Sequence, residues 1–315
     1  MMVLNRRMRR IGTYFNPKRT KNWLIDAIYY MILLCIVFLI LYPMITNVAN
    51  SFKSEADLLD RTVVFVPKEM SLKTYQLTMN AMKYGEALKN SFLLSLTVAV
   101  LQTVSSALIG YGFARFRFPG RNLLFGIMIF TIMVPPQIIM TPLYMRFKEF
   151  DFFGVIKAVT GASPNALNSF IPFIALSVTG LGLKNGLYIY LIRQFFRNMP
   201  RELDDAAYID GANEIKVFYK IMLPNATPII ITNLLFSFSW QWTDNFFTPL
   251  LIQQFQTLPL SLGSIGTYLP YDIDPIVRTA MMGAGIILVV LPILIVYCFL
   301  QRFFIQGIER SGIVG

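Results

Sequence analysis

Long apolar runs separated by short charged stretches dominate the hydrophobic pattern of the chain. Six runs contain no charged residue: 27–45, 91–114, 122–145, 158–183, 221–243 and 279–301. Each is close to or longer than the roughly 20 residues that a helix needs to cross the hydrocarbon core of a bilayer. The pattern therefore predicts an all-α integral membrane protein with six transmembrane helices.

Basic residues flank these runs unevenly and predict the orientation of the chain. Residues 1–22 carry seven Lys and Arg and no acid, and 114–121 carries three Arg and no acid. Residues 51–87 instead balance five basic against five acidic side chains. Because cytoplasmic loops carry the excess of Lys and Arg, we expect both termini in the cytoplasm and a small folded cap at 51–87 outside.

The most charge-dense stretch, 200–224, lies between apolar runs and is too polar to lie in lipid. Gly211 suits the left-handed residue that ends a helix, so we expect a short helix from about Arg201 to Asp210. Asn213 then caps a second helix, which Pro224 ends. The apolar residues of this second helix recur at amphipathic spacing: Ile215, Phe218, Ile221 and Met222. The sequence thus predicts two short helices joined at a glycine.

Helix breakers lie in or next to two of the apolar runs. The Pro135-Pro136 pair lies about thirteen residues, or roughly 20 Å, into the third run, and the backbone groups that it frees must face protein or water. Three glycines surround Lys184 at the end of the fourth run: Gly180, Gly182 and Gly186. Such glycines are typical of close helix packing or of a cavity, and the pattern alone favours neither.

Composition excludes several classes of function. Hydrophobic residues make up 55% of the chain and charged residues only 14%, against about 25% charged in soluble domains. The net charge of +11 follows the ends of the apolar runs, so we do not expect nucleic-acid binding. The chain has no histidine, and both cysteines, Cys35 and Cys298, lie in apolar runs. Zinc chemistry and histidine-based catalysis are therefore excluded.

A motif in the charged stretch resembles the "EAA" signature of permeases in ATP-driven, binding-protein-dependent importers. It comprises Asp205, Ala206 and Ala207, then Gly211, then Ile221, Leu223 and Pro224. Asp205 stands where that family usually has glutamate. Four further segments are similar to the carbohydrate-uptake class, and most of all to the smaller permease of maltose-type transporters: 113–121, 133–144, 191–200 and 299–307. The resemblance covers roughly residues 24 to 315.

The resemblance implies a type I ABC importer permease fold in the bacterial plasma (inner) membrane, with the hairpin at 200–224 docking on an ATPase. It divides the chain into a basic N-terminal segment (1–22), a first transmembrane helix with an extracytoplasmic segment (23–87), a core permease domain (88–305) and a tail (306–315). The implied partners are a homologous second permease, two copies of a maltose-type ATPase and an extracytoplasmic solute-binding protein. The sequence has no G-x-x-x-x-G-K-[ST] motif, so we expect ATP and Mg on the ATPase subunits, no cofactor on this chain and no enzymatic activity.

Polar and aromatic residues in the spans are candidates for the path of an oligosaccharide: Lys184, Gln137, Asn233, Trp240, Trp242 and Asp244. The two tryptophans equally suit an interfacial aromatic belt, and the polar residues equally suit bonds between helices. Lys184 lies about 18 Å from the expected end of its span at Phe196, where a cation needs water or an anion. We expect it to attract an acidic, uronate-containing oligosaccharide, to form a structural pair with an acid on either permease, or to lie nearer an interface because of a kink. We expect the outer loop 253–275 to contact the binding protein.

Three alternative functions stay open at this point. A secondary transporter or channel that works without ATP should carry several charges inside its spans, and the sequence has only one clear case, Lys184. An ABC permease for another polar solute, such as a glycerol phosphodiester or glycerol phosphate, has the same architecture. A membrane scaffold or enzyme lacks support, because no paired carboxylates occur within the runs.

Overall fold

The computed structural model describes residues 17–151, 154–268 and 273–310, without the side chains of 17–22, 24, 268 and 302–310. Across these residues the fold is all-α, as predicted, with one isolated bridge between Lys53 and Met70. The helices in chain order are α1 (Pro17–Ser51), α2 (Glu55–Leu59), α3 (Lys73–Ala81), α4 (Tyr84–Arg115), α5 (Arg121–Met133), α6 (Pro136–Lys148), α7 (Val155–Thr160), α8 (Ile171–Val178), α9 (Asn185–Asn198), α10 (Glu202–Ile209), α11 (Glu214–Val217), α12 (Leu223–Asn225), α13 (Thr227–Trp242), α14 (Phe247–Leu251), α15 (Leu258–Tyr268) and α16 (Pro275–Arg310).

Three of the described helices are long and apolar enough to cross a membrane: α1, α4 and α16. Two bent pairs raise the number to five if each pair is one span. The pair α5 and α6 bends by 101° at the predicted Pro135-Pro136 break, and the helices on either side of Ala226 bend by 77°. By length and composition the described residues therefore give three to five spans, and the predicted count of six is not confirmed.

The predicted continuous span over 158–183 is wrong. Helix α7 ends at Gly161, whose φ of +79° is the left-handed conformation that stops a helix. Helix α8 ends before Gly180, which has a φ of +75°. Both glycines adopt a backbone conformation that strains most other residues, and they divide the run there. Hydropathy alone does not show these breaks, because the run is apolar throughout.

The described residues form two compact units, one within Met1–Gln76 and Ile273–Ala284, the other within Leu77–Asp272 and Gly285–Gly315. In the first unit a buried lysine organises the segment after α1. The Lys53 ammonium donates to Asn50 Oδ1 at 2.8 Å and to the carbonyls of Val63 and Val64 at 2.9 Å each. The segment after α1 is therefore folded. The predicted cap at 51–87 is divided between the two units after Gln76, and its extracytoplasmic location stays a prediction.

Two predicted termini reach beyond the described residues. The basic N-terminal segment, 1–22, lies outside them except for helical backbone from Pro17 onward. The tail, 306–315, is described only as helical backbone to Arg310.

Helix α4 is the centre of the second unit, since α8, α9 and α13 all pack against it. A glycine permits α4 and α9 to approach closely. A methyl group added at Gly110 would lie 2.9 Å from Ile192 Cγ2 and 3.1 Å from the backbone nitrogen of Arg193, both in α9. The distance between α4 and α9 is therefore set by the absence of a side chain at Gly110.

Two other helices donate hydrogen bonds to α16 close to its internal proline, Pro292. Pro292 has no N–H, so the carbonyl of Leu288 loses its helical partner. The Tyr84 hydroxyl donates to that carbonyl at 3.1 Å, and Trp242 Nε1 donates to the carbonyl of Val289 at 3.0 Å. The break thus joins α16 to the start of α4 and the end of α13.

The predicted outer loop 253–275 contains a helix, because α15 occupies Leu258–Tyr268, and 269–272 lie outside the described residues. Its contact with the binding protein stays a prediction. Leu258 and Ile265 are fully buried and pack with Met82 and Trp242. Gly263 and Gly266 lie inside this helix.

Substitution of Gly110 tests the approach of α4 to α9. Gly110→Ala should destabilise the protein by about 1–3 kcal/mol, because the added methyl group overlaps the α9 backbone. The matched control is Gly112→Ala on the same helix, where the nearest atom, Phe116 Cδ2, is 3.9 Å away. Thermal unfolding in detergent should show a lower midpoint for Gly110→Ala alone. Equal midpoints for the two variants would contradict the packing argument.

Candidate functional site

The charged stretch folds as the predicted hairpin. Helix α10 spans Glu202–Ile209 and has three acids in its first turn, where negative charge is favourable. Gly211 follows with a φ of +76°, the left-handed conformation expected there. The Asn213 side chain then accepts from the N–H of Lys216 at 2.9 Å and caps α11, also as predicted. Local sequence signals are therefore sufficient to form this turn.

The second half of the hairpin differs from the predicted helix. Helix α11 ends at Val217, and Phe218–Met222 forms one π-helical turn. A π turn inserts an extra residue and so rotates the following face of the helix. Phe218 and Met222 are buried, whereas Ile215 is 68% exposed, so the predicted apolar residues do not share one face.

Pro224 does not end this helical stretch, contrary to the prediction. It lies in α12, which follows the π turn directly. The chain bends only at Ala226, which is fully buried. Ile221 and Leu223 of the predicted motif are half-buried and pack against the core described next.

An apolar core joins the hairpin to the long helices. From the hairpin side Ala207, Val217 and Phe218 are buried in it. The Phe218 ring lies 4.8 Å from that of Tyr111 in α4 and 6.4 Å from that of Phe196 in α9. The inner face of the hairpin is therefore packed against the ends of α4 and α9.

An ion pair in this region was missed by the sequence analysis. Asp204 Oδ2 lies 3.3 Å from Nε of Arg115, the last residue of α4, and both side chains are about nine-tenths buried. Burial raises the pKa of the Asp204 carboxyl, and the adjacent Arg115 partly opposes this shift. The sequence did contain a signal for the burial of Asp204. It lies three residues before the buried Ala207, and residues three apart lie on the same face of a helix.

The outer face of the hairpin is exposed and partly apolar. Asp205 and Ala206 of the EAA-like motif lie there, and Ile209 is 87% exposed. The Tyr208 hydroxyl donates to Glu214 Oε2 at 2.9 Å across the turn. Partial burial and this carboxylate raise the pKa of Tyr208 to about 12. The hairpin therefore presents a formed surface that no described part of the chain covers.

The second candidate region is a cleft formed where the two predicted helix breaks meet. Its walls are Thr131–Ile139 on one side and Gly180–Gly186 on the other, and its volume is about 150 Å³. Lys184 lines it. The structure thus places the Pro135-Pro136 break next to the glycine-rich turn. The sequence analysis assigned the break and the turn to separate spans.

The three glycines of this turn are sites of close packing. An added methyl group would lie 2.6 Å from Ile109 Cδ1 at Gly180 and 2.8 Å from Ile132 Cγ1 at Gly186. At Gly182 it would overlap the Gln102 amide. The close-packing alternative is confirmed. A cleft also lies beside the glycines, and a function for it stays a prediction.

Lys184 and Trp240 are brought together. The Lys184 ammonium lies 5.0 Å from the centre of the Trp240 ring, a cation–π distance. Lys184 itself has a φ of +62°, which is uncommon for a residue with a side chain. Trp240 is 48% exposed, so part of its ring is free for another contact.

The other candidate residues are differently placed. Trp242 is buried and its indole N–H is used by Val289. Asp244 caps α14, accepting from Phe246, Phe247 and Thr248 backbone N–H groups at 2.6–3.3 Å. Gln137 is exposed next to the proline break.

Asn233 belongs to a buried polar layer that the sequence analysis only partly identified. Asn233 Nδ2 donates to Thr103 Oγ1 at 3.2 Å, and the Ser237 hydroxyl donates to Gln102. Asn185 Nδ2 donates to the hydroxyls of Ser105 and Ser106 at 3.3 Å each. These bonds link α4 to α9 and α13. A polar cluster at 102–106 in an otherwise apolar span was the available signal.

Among the described residues no group of three or more His, Cys, Asp and Glu side chains lies close enough to hold a metal ion.

Similarity to known proteins identifies the family of this chain. The profile of the family described as "Binding-protein-dependent transport system inner membrane component" matches residues 106–310. The arabinooligosaccharides transport system permease protein AraQ of Bacillus subtilis (strain 168) is 30% identical over 283 residues, covering 88% of this chain and 92% of that protein. The maltodextrin transport system permease protein MdxG of the same organism is 27% identical, covering 91% and 95%.

A solved structure shares the fold. It is a chain of a bacterial ABC transporter involved in the import of the acidic polysaccharide alginate, with a TM-score of 0.72 and 20% identity. The match covers 89% of this chain and 96% of that chain. This likeness and the apolar helices confirm the predicted importer permease fold and a multi-pass membrane protein. The chain belongs to the family of inner membrane components of binding-protein-dependent transport systems.

Proposed function

We propose that the chain is the permease subunit of an ATP-driven importer and translocates oligosaccharides delivered by an extracytoplasmic solute-binding protein. The hairpin carries the proposal: its inner face is packed on α4 and α9, and its outer face is exposed and formed. Such a surface suits a separate subunit that docks there. Membership of a binding-protein-dependent family argues against a transporter that works without ATP.

The proposed assembly contains a homologous second permease and two copies of a maltose-type ATPase, which bind ATP and Mg. The ATPase docks on Asp205 and Ala206 and on the exposed isoleucines around Gly211. Both termini lie in the cytoplasm, which the positive charge of 1–22 and 114–121 supports. ATP closes the ATPase dimer, the hairpin moves with it, and the paired permeases open outward to accept substrate.

The substrate class is supported by the curated relatives, whose names specify arabinooligosaccharides and maltodextrin. A second candidate is an acidic oligosaccharide. Lys184 favours it, because its ammonium lines the cleft and takes part in no ion pair among the described residues. The exposed part of Trp240 suits the apolar face of a sugar ring, and Lys184 beside it suits a carboxylate.

Gly211 tests whether the hairpin couples the two subunits. Gly211→Val should abolish most substrate-stimulated ATP hydrolysis and uptake in proteoliposomes, since a β-branched residue is strained by about 1–2 kcal/mol in the left-handed region. The space around Gly211 is open, so strain and not overlap is the cause. Gly211→Asn is the matched control, because asparagine tolerates this conformation. Wild-type coupling in Gly211→Val would refute the assignment.

Asp205 tests the docking surface. Asp205→Ala should weaken association of the ATPase several-fold, because an exposed carboxylate on the docking face is lost. The assay is co-purification of the ATPase with a tagged permease over a range of salt concentrations. Asp205→Glu keeps the charge and should retain association. Undiminished co-purification of the alanine variant at every salt concentration would argue against docking at this residue.

Lys184 tests the charge of the substrate. Lys184→Gln should lower uptake of uronate-containing oligosaccharides at least tenfold and leave uptake of neutral ones unchanged. Lys184→Arg keeps the cation and should transport both. Radiolabelled uptake into proteoliposomes measures the effect, with basal ATP hydrolysis as the assembly control. Equal uptake of acidic substrate by Lys184→Gln and wild type would leave the neutral class as the substrate.

A further inference from the structure

A single guanidinium group joins three segments where the hairpin meets the long helices. Arg115 is the last residue of α4, and its Nε lies 3.3 Å from Asp204 Oδ2 in α10. One of its terminal nitrogens donates to the carbonyl of Met199, which ends α9, at 3.1 Å. The end of α4, the end of α9 and the first turn of the hairpin are therefore bonded to one side chain.

Burial makes this pair different from the other ion pairs between described residues. Its two side chains are 8% and 11% exposed, whereas the Lys68–Asp60 and Lys73–Glu55 pairs lie at the surface. The free energy needed to remove two charges from water offsets much of their mutual attraction. A buried ion pair is therefore weak evidence for stability. Arg115 Nε, Asp204 Oδ1 and the nearby Tyr111 hydroxyl are all buried without a hydrogen-bond partner, so the contact between the two charges is an ion pair and not a hydrogen bond. Apolar side chains of similar volume in place of the pair would stabilise the fold at least as well.

Resistance to separation is what the pair adds to the surrounding apolar core. Apolar contacts between the hairpin and α4 depend on area and tolerate sliding, because the hydrophobic effect is non-directional. Two buried opposite charges resist separation, because separating them leaves each charge buried without its partner. A displacement of α10 is therefore followed most directly by α4 through Asp204 and Arg115.

We propose that Arg115 and Asp204 are positioning residues for energy coupling: they tie the ATPase-docking hairpin to α4, so that α4 and the cleft beside it move with the hairpin. This inference rests on the proposed function. Asp204 thus has a different role from its neighbour Asp205, which faces outward to the ATPase.

The test separates positioning from packing by replacing the pair with apolar residues. The double variant Arg115→Met with Asp204→Leu removes both charges, so no unpaired charge stays buried. Asp204→Asn removes one charge at nearly constant shape, and Asp204→Glu keeps it. The matched control is Glu202→Gln, which removes an exposed acid from the same turn. Each is purified as the full complex with the second permease and the ATPase.

Two measurements are made on every complex. One is the thermal unfolding midpoint. The other is the ratio of Mg-ATP hydrolysis in proteoliposomes with and without the binding protein, using a mixture of malto- and arabino-oligosaccharides as the probe. We expect the apolar double variant to match the wild-type midpoint and to lose at least tenfold of the stimulation. Asp204→Asn should lose stimulation likewise, and Asp204→Glu and Glu202→Gln should keep it.

Stimulation at the wild-type level in the apolar double variant or in Asp204→Asn would overturn the proposal, because the pair would then be packing only. Failure of the proposed function looks different, since the wild-type complex itself would show no stimulation. A probe-independent measurement covers that case: hydrogen exchange of the amides of 202–217 should be at least tenfold faster in Asp204→Asn than in Glu202→Gln. Equal exchange rates in these two variants would also overturn the tether.

Discussion

The second unit depends on one constraint: polar groups freed inside an apolar bundle must find partners within the protein, because lipid offers none. Pro292 frees a carbonyl, and the Tyr84 hydroxyl takes it up from another helix. The Pro135-Pro136 break lies against the turn at Gly180–Gly186 rather than against lipid-facing helix. Each break is therefore also a contact between helices.

The same constraint explains why the polar layer lies on α4. Gln102, Thr103, Ser105 and Ser106 are buried in its middle, and each has a polar partner on α9 or α13 or in its own helix. Such bonds between helices contribute little individually, about 0.6 kcal/mol on average. Their effect is on register, because a shift of α13 along α4 would leave Asn233 and Ser237 without partners.

Sequence reasoning succeeded where a local signal decides the structure. Gly211 and Asn213 need only their own backbone geometry and side chain to form the turn of the hairpin. It failed where a tertiary contact or backbone conformation decides. Hydropathy does not distinguish the apolar stretch 158–183 from a span, although Gly161 and Gly180 adopt left-handed conformations within it.

The candidate site shows the same limit. Asp204 and Asp205 are chemically identical neighbours, yet one is buried against Arg115 and the other faces outward. Only the phase of α10 relative to the core separates them, and that phase requires knowing which face packs. The π turn after Val217 likewise has no sequence signature here, so Ile215 was assigned to the wrong face. Lys184 was recognised as unusual, but its contact with Trp240 joins residues that are 56 positions apart.

Rigid helix geometry suffices to connect the hairpin to the cleft. Arg115 ends α4, and Gln102 lies thirteen residues earlier, or about 20 Å along the same helix. Gln102 packs directly against Gly182 in the turn that lines the cleft. Coupling over such a distance needs an element with two arrangements that both sites bias, and no chain of side chains is required. A 32-residue helix held at one end by an ion pair and in the middle by a polar layer meets the mechanical part of that requirement. Under the proposed coupling, a movement of α10 would reach the turn that carries Lys184.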